Sequence, residues 1–235
     1  MEEELKQGIK LNSELLSNNH ASQRLKGVLG LADLASQLSA NDRESIVELI
    51  GSLWNDEEAF VRWNVAIALA KIGSERGIEF LEKMADDEHA NVRFRVALAL
   101  GLIASERGIP VLEKLASDNY AIGEHFIVRA FVAMALGKIG SEACVKTLAK
   151  LVEDQDAVVR WHAAVALGDV GSASGKEPLS ELVSDPIPFV RAHTAIALSQ
   201  IGDKNALPLL EKLANDSNPR VAQISKHALE LLKSL

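Results

Sequence analysis

Val159-Arg160-Trp161-His162-Ala163-Ala164-Val165-Ala166-Leu167-Gly168-Asp169-Val170-Gly171 is the stretch that decides the fold. It matches four others in the chain, Val61 to Gly73, Val92 to Ala104, Val128 to Gly140 and Val190 to Gly202, which share a valine-arginine start, an alanine-rich middle and a glycine or alanine stop. Their arginines, Arg62, Arg93, Arg129, Arg160 and Arg191, are spaced 31, 36, 31 and 31 residues apart. Self-similarity at such a period marks a stacked repeat, each unit too small to bury its own apolar face. Weaker copies surround Arg24 and Val221, where Ala222 stands in the arginine's place. Atypical end copies are expected, because terminal repeats meet water on one side.

Each stretch has helical periodicity. In the second copy Val61, Val65, Ala66, Ala68, Leu69 and Ile72 form one inward stripe. Alanine recurs there as Ala97, Ala133, Ala164 and Ala195, small enough to bring neighbouring helices to about 8–10 Å. A second helical pattern lies between the copies, as in Ser74 to Met84 and Ser105 to Leu115. Ser74, Ser105, Ser141 and Asp203 stand where an N-cap is wanted, and Gly73, Gly140, Gly171 and Gly202 where the preceding helix must stop. Each unit is therefore a helix A, a turn, a helix B and a glycine turn. The predicted fold is all-α, a right-handed α-solenoid of about seven such pairs in one domain over 1–235. The pairs occupy 2–38, 41–73, 74–104, 105–140, 141–171, 172–202 and 203–235.

Composition narrows the function. The net charge of −8 argues against a general nucleic-acid surface, and the outer face of the B helices mixes Lys26, Lys71, Arg95 and Lys138 with Asp33 and Asp169. The apolar runs fall short of the ~20 residues that span a membrane. Met1-Glu2-Glu3-Glu4 lacks a signal peptide's basic and apolar regions, and the one cysteine, Cys144, suits a reducing compartment. A cytoplasmic protein is expected. Cys144 aligns with Gly77, Gly108, Gly175 and Ala206, which makes it a packing residue. No nucleophile elbow, phosphate loop or dinucleotide fingerprint occurs. His162 and His193 occupy equivalent positions in adjacent repeats and His227 lies nearby in the next helix, yet with Asp169 as the one nearby carboxylate they fall short of a zinc site, and no metal is expected.

Two sets of residues remain. Aspartate precedes arginine by six residues in Asp56/Arg62, Asp87/Arg93, Asp154/Arg160 and Asp185/Arg191, which predicts a structural ladder of ion pairs within the A–B turns. The positions one, two, five and nine after the arginine should face outward on helix B. They include Trp63, Asn64 and Ile67; Phe94, Arg95 and Leu98; Phe131 and Met134; Trp161, His162 and Val165; and His193 and Ile196. The fifth position is apolar in all five copies, where a solvated face would carry charge. These residues predict a concave groove that grips an apolar helix, peptide or flat pigment, with Arg95 facing an anionic group. Five extra residues lengthen one A–B turn near Asn119 to Phe126, and Tyr120, His125 and Phe126 are candidate loop contacts.

The D-x-x-x-x-V-R-x-x-A-A-x-A-L-G-x-I-G pattern resembles HEAT repeats, specifically the short class named after phycobilisome lyases. The resemblance covers essentially the whole chain. It implies a right-handed superhelix whose B helices line the concave side and hold proteins or peptides. Among such proteins are phycobilin lyase E/F subunits, phycobilisome-degradation adaptors and deoxyhypusine hydroxylase. The hydroxylase's iron-binding His-Glu pairs should follow the helix B arginines, but those positions read Trp63-Asn64, Phe94-Arg95, Ala130-Phe131, Trp161-His162 and Ala192-His193. Glu124-His125 has the reverse order and falls in the predicted turn. The expected function is a non-enzymatic protein-binding scaffold or adaptor. The alternative is a phycobilin lyase subunit or bilin-protein chaperone of the E/F type, which would bring a bilin or phycobiliprotein as partner and which the lengthened turn resembles.

Overall fold

The computed structural model describes residues 2–118 and 125–235. It is all-helical, with fourteen α-helices among the described residues. The chain divides into two compact units, Met1–Val111 and Leu112–Leu235, with the boundary inside one helix. The first unit holds α1 (Glu2–Leu15), α2 (Ala21–Ala35), α3 (Ala40–Gly51), α4 (Ala59–Ile72), α5 (Ile78–Met84), α6 (Ala90–Ile103) and the start of α7 (Ile109–Leu115). The second continues with α8 (His125–Ile139), α9 (Val145–Leu151), α10 (Ala157–Val170), α11 (Lys176–Leu182), α12 (Pro188–Ile201), α13 (Leu207–Ala214) and α14 (Pro219–Ser234). Even-numbered helices are the predicted B helices and odd-numbered ones the A helices. This is the helix-pair array that the repeats predicted. His125 opens α8, so the residue placed in a turn by the sequence begins a helix instead.

Local chemistry marks both ends of each helix. Gly73, Gly140, Gly171 and Gly202 adopt left-handed φ values between 67° and 73°, and Ala104 takes the same role at φ 53°. Ser74, Ser105, Ser141, Ser172 and Asp203 each accept a hydrogen bond from the backbone N–H two residues on. They cap a short 3-10 turn that precedes each of these A helices, a detail absent from the sequence expectation.

Within each unit, successive repeats meet mainly through their B helices, with α2 on α4 and α4 on α6, then α8 on α10, α10 on α12 and α12 on α14. The inward stripe is buried as expected: Val61, Val65, Ala66 and Leu69 are all fully enclosed, as are Ala97, Ala133, Ala164 and Ala195. Cys144 is buried in its small-residue slot.

The arginine ladder is present but differs from the predicted pairing. Asp56 and Arg62 do not join their charged groups, nor do Asp154 and Arg160. Arg62 instead donates its Nε and Nη2 to the Asp87 carboxylate of the next repeat, at 2.5 and 2.9 Å. Arg160 meets Asp185 in the same way at 2.6 and 3.1 Å, Arg129 meets Asp154, and Arg191 meets Asp216. Arg24 extends the series by gripping Asp56. The aspartate six residues earlier contributes its backbone: Arg62, Arg93, Arg160 and Arg191 donate to the carbonyls of Asp56, Asp87, Asp154 and Asp185 at 2.6–2.8 Å. Each of these carboxylates also accepts the N–H two residues on, as Asp154 does from Asp156 and Asp185 from Ile187, which shapes the start of helix B. The physical reason is reach: a guanidinium already held by its own turn's carbonyl points its fork across to the next turn.

These pairs set an acid limit on stability. The Arg191 guanidinium, with the Asn218 N–H, holds the Asp216 carboxyl below its ordinary range against the opposing effect of burial. At Asp56 burial pushes upward, but the Arg24 hydrogen bonds and the Glu58 N–H outweigh it, and the net shift is again downward. A depressed folded-state value means the stabilisation is complete above the unfolded carboxyl's value, about 3.9, and is lost as pH falls through the lower folded one. The urea midpoint of the wild type should therefore drop as pH falls below about 4. Asp216→Asn should start lower at neutral pH and show a shallower acid drop. Parallel pH profiles would remove Asp216 from the account.

Candidate functional site

The outward residues of the B helices fall in two sets, one in each unit. In the first, Trp63, Asn64 and Ile67 on α4 and Phe94, Arg95 and Leu98 on α6 are all half-buried. Asn64 turns its amide back on its own helix, donating to the Phe60 carbonyl at 2.6 Å. The Arg95 guanidinium lies 5.1 Å from the Phe94 ring centroid, and its Nε is buried without a hydrogen-bond partner. A cation held on an aromatic face retains its charge for a ligand while its stem covers apolar surface.

In the second unit, Phe131, Trp161, His162, Val165 and His193 are half-buried, whereas Met134 and Ile196 are 40% and 38% exposed. Trp161 is the centre of a ring cluster. Its indole stacks on His162 with centroids 4.3 Å apart, meets Phe189 edge-on at 5.8 Å, and lies 5.3 Å from His193. The indole N–H is buried with no acceptor. His193 Nδ1 sits 2.8 Å from the Phe189 carbonyl, which orients its ring. Burial, and then the adjacent His193, push the His162 imidazole below its ordinary value, which favours its neutral form.

Sequence reasoning missed several surface residues. Phe189 stands two positions before Arg191. Gln223, Ile224 and Leu231 occupy the outward phase of α14 beside His227, and would have been found had the same offsets been counted from Ala222. Among the described residues no group of three or more His, Cys, Asp or Glu side chains is arranged to hold a metal ion. No helix among them is long and apolar enough to cross a membrane. Tyr120 lies outside the described residues, as do the side chains of His125 and Phe126.

The family profile described as HEAT repeats matches residues 10–91, 121–186 and 154–230, and that described as PBS lyase HEAT-like repeat matches 92–118. No curated protein matches the sequence. Several solved structures share the fold. The complex of CpcE and CpcF of phycocyanin lyase from Nostoc sp. PCC7120 aligns with a TM-score of 0.59 and 19% identity, covering 95% of this chain and 94% of that one. An archaeal HEAT-like repeats protein from Thermococcus onnurineus NA1 aligns at 0.62 and 14% identity, covering 96% and 97%. The Escherichia coli protein YIBA aligns at 0.67 and 21% identity, covering 98% and 82%.

Proposed function

Because the chain belongs to the HEAT-repeat family, we propose that it is a non-enzymatic scaffold that binds another protein, as an apolar helix or peptide, on the outward side chains of its B helices. One observation carries this reading. The fifth position after each arginine holds Ile67, Leu98, Met134, Val165 or Ile196, none of them buried, where a merely solvated face would carry charge. Apolar surface left partly open on a repeat protein marks an interaction site. Beside it stand tryptophan, phenylalanine and arginine, the residue types that most often anchor interfaces. The proposed setting is the cytoplasm.

The test uses Phe94→Ser and Trp161→Ser. Proteins captured by the wild type are identified, purified and titrated against both variants. The expected result is a loss of affinity of about tenfold or more, the range for removing an aromatic anchor, with helical circular dichroism unchanged. Unaltered affinity would rule out these faces as the site; loss of helicity would show that the aromatic residues are core.

A second reading, a phycobilin lyase subunit or bilin-protein chaperone, draws support from the stacked Trp161–His162 surface, which suits a flat pigment, and from the fold likeness to CpcE and CpcF. It expects a bilin's visible absorbance to shift on mixing with the wild type but not with Trp161→Ser. An unchanged spectrum would discard it.

A further inference from the structure

The last two B helices, α12 and α14, enclose a groove that runs from His193 and Ile196 onto α14. Two adjoining hollows of about 550 and 510 Å³ run along it and share Ile196, Arg220 and Ile224. Phe189, His193 and Ile196 form the α12 wall, and Arg220, Ile224 and Leu231 the α14 wall. Phe189, Ile196 and Leu231 are 42%, 38% and 49% exposed, an open apolar strip along both helices. Phe189 to Ser199 on one side and Arg220 to Leu231 on the other each extend about 15 Å at 1.5 Å per residue, the length of a three-turn helix.

The charge on this groove is opposite to that of the chain. The protein carries −8 overall, yet no aspartate or glutamate lines either hollow. Arg220 lines both and makes no ion pair among the described residues, in contrast to the paired arginines of the ladder. Its own backbone N–H is used in capping α14 by Asn218, which leaves the guanidinium outside. An exposed cation with no partner, set in an apolar groove, favours an occupant that is apolar along one face and acidic beside Arg220.

We propose that the α12–α14 groove docks an amphipathic helix of a partner protein, about three turns long, with apolar residues at i, i+3 or i+4, and i+7 and an aspartate or glutamate facing Arg220. This rests on the protein-binding reading above and assigns it a partner class and a place. Random twelve-residue peptides displayed on phage are selected on the full chain, with counter-selection on Ile224→Asp. Enriched peptides are expected to repeat apolar residues at helical spacing and to favour Asp and Glu over Lys and Arg. A selected peptide should lose affinity about tenfold or more for Arg220→Glu. Selection repeated on Arg220→Glu should return lysine- and arginine-bearing helices. Uncharged or basic winners on the wild type, identical winners on Arg220→Glu, or no enrichment over Ile224→Asp would each overturn the proposal. So would displacement of the selected peptides by dodecanoate alone at equal concentration, which would mark a lipid-like ligand site. Should Ile224→Asp lose helicity, Leu231→Asp replaces it as the counter-selection. Neither Arg220 nor Ile224 enters the Phe94 and Trp161 experiment, so each result stands apart from the other.

Discussion

Replacing Arg160 by alanine is expected to lower the melting temperature by about 5–10 °C. The change removes two hydrogen bonds to Asp185, at 2.6 and 3.1 Å, and two to the carbonyls of Asp154 and Gln155. It also strands the Asp185 carboxylate, which is 6% exposed. A hydrogen bond to a charged group contributes about 1.5–3 kcal/mol, and removing one partner of a buried pair costs about 3–5. Arg160 is half-buried, so the lower part of that span, about 2–3 kcal/mol, applies. For a chain of this size each kcal/mol moves the midpoint by about 2–4 °C. Removing both partners, as Arg160→Ala with Asp185→Ala, should cost less than the sum of the single changes, because the stranded charge disappears with its partner. A single variant melting within about a degree of the wild type would show that the ladder does not set stacking strength.

Gly168→Leu is expected to be at least as damaging, for a different reason. Gly168 lies where α10 meets α12, and a Cβ there would overlap the Gln200 Oε1, the mobile end of a side chain, and stand 3.0 Å from the Ala197 Cα. That atom is backbone and cannot rotate away. The same close approach recurs one repeat earlier, where a Cβ on Gly137 would lie 3.0 Å from the Ala166 Cα. Overfilling a packed interface costs about 1–3 kcal/mol, and a leucine here must push two helices apart along their whole contact. Gly168→Ala sets the reference. It gains about 1 kcal/mol of helix propensity and spends that on swinging the Gln200 amide aside and easing the Ala197 contact by a few tenths of an ångström, so its urea midpoint should stay near the wild type. Equal midpoints for the alanine and leucine variants would mean that α10 and α12 separate freely.

The helix-pair architecture was legible because each repeat states it again. Val61, Val92, Val128, Val159 and Val190 open the same stripe, so chance periodicity in one copy was corrected by the others. The glycine stops were legible for the same reason, with Ala104 the one departure. The pairing within the ladder was not legible. A 31-residue period makes an aspartate six residues before an arginine also an aspartate 25 residues after the preceding one, and sequence spacing cannot separate the two. Arg62 chose Asp87 because its Nη1 was already occupied by the Asp56 carbonyl, a fact of turn geometry rather than of composition. Trp63, Phe94, Phe131 and Trp161, expected on the outward face of helix B, are half-buried. The α12–α14 groove escaped notice because its marker arginine is Ala222, and a pattern search weighted on arginine passes over the copy that lacks it.

The forward-reaching ladder has a consequence for how such a chain changes over time. Every joint from Arg129 to Asp216 uses the same two ends, a guanidinium from one unit and a carboxylate 25 residues further on. The couplings are interchangeable. Excising one whole 31-residue unit presents Arg129 with the carboxylate of Asp185 in the register that Asp154 held, and duplicating one adds a joint identical to its neighbours. Gains and losses in whole periods are therefore absorbed without redesign, while within the span from Arg129 to Asp216 a shift inside a helix by another number of residues leaves one arginine facing the wrong turn. Over that span, length is a quantity counted in units.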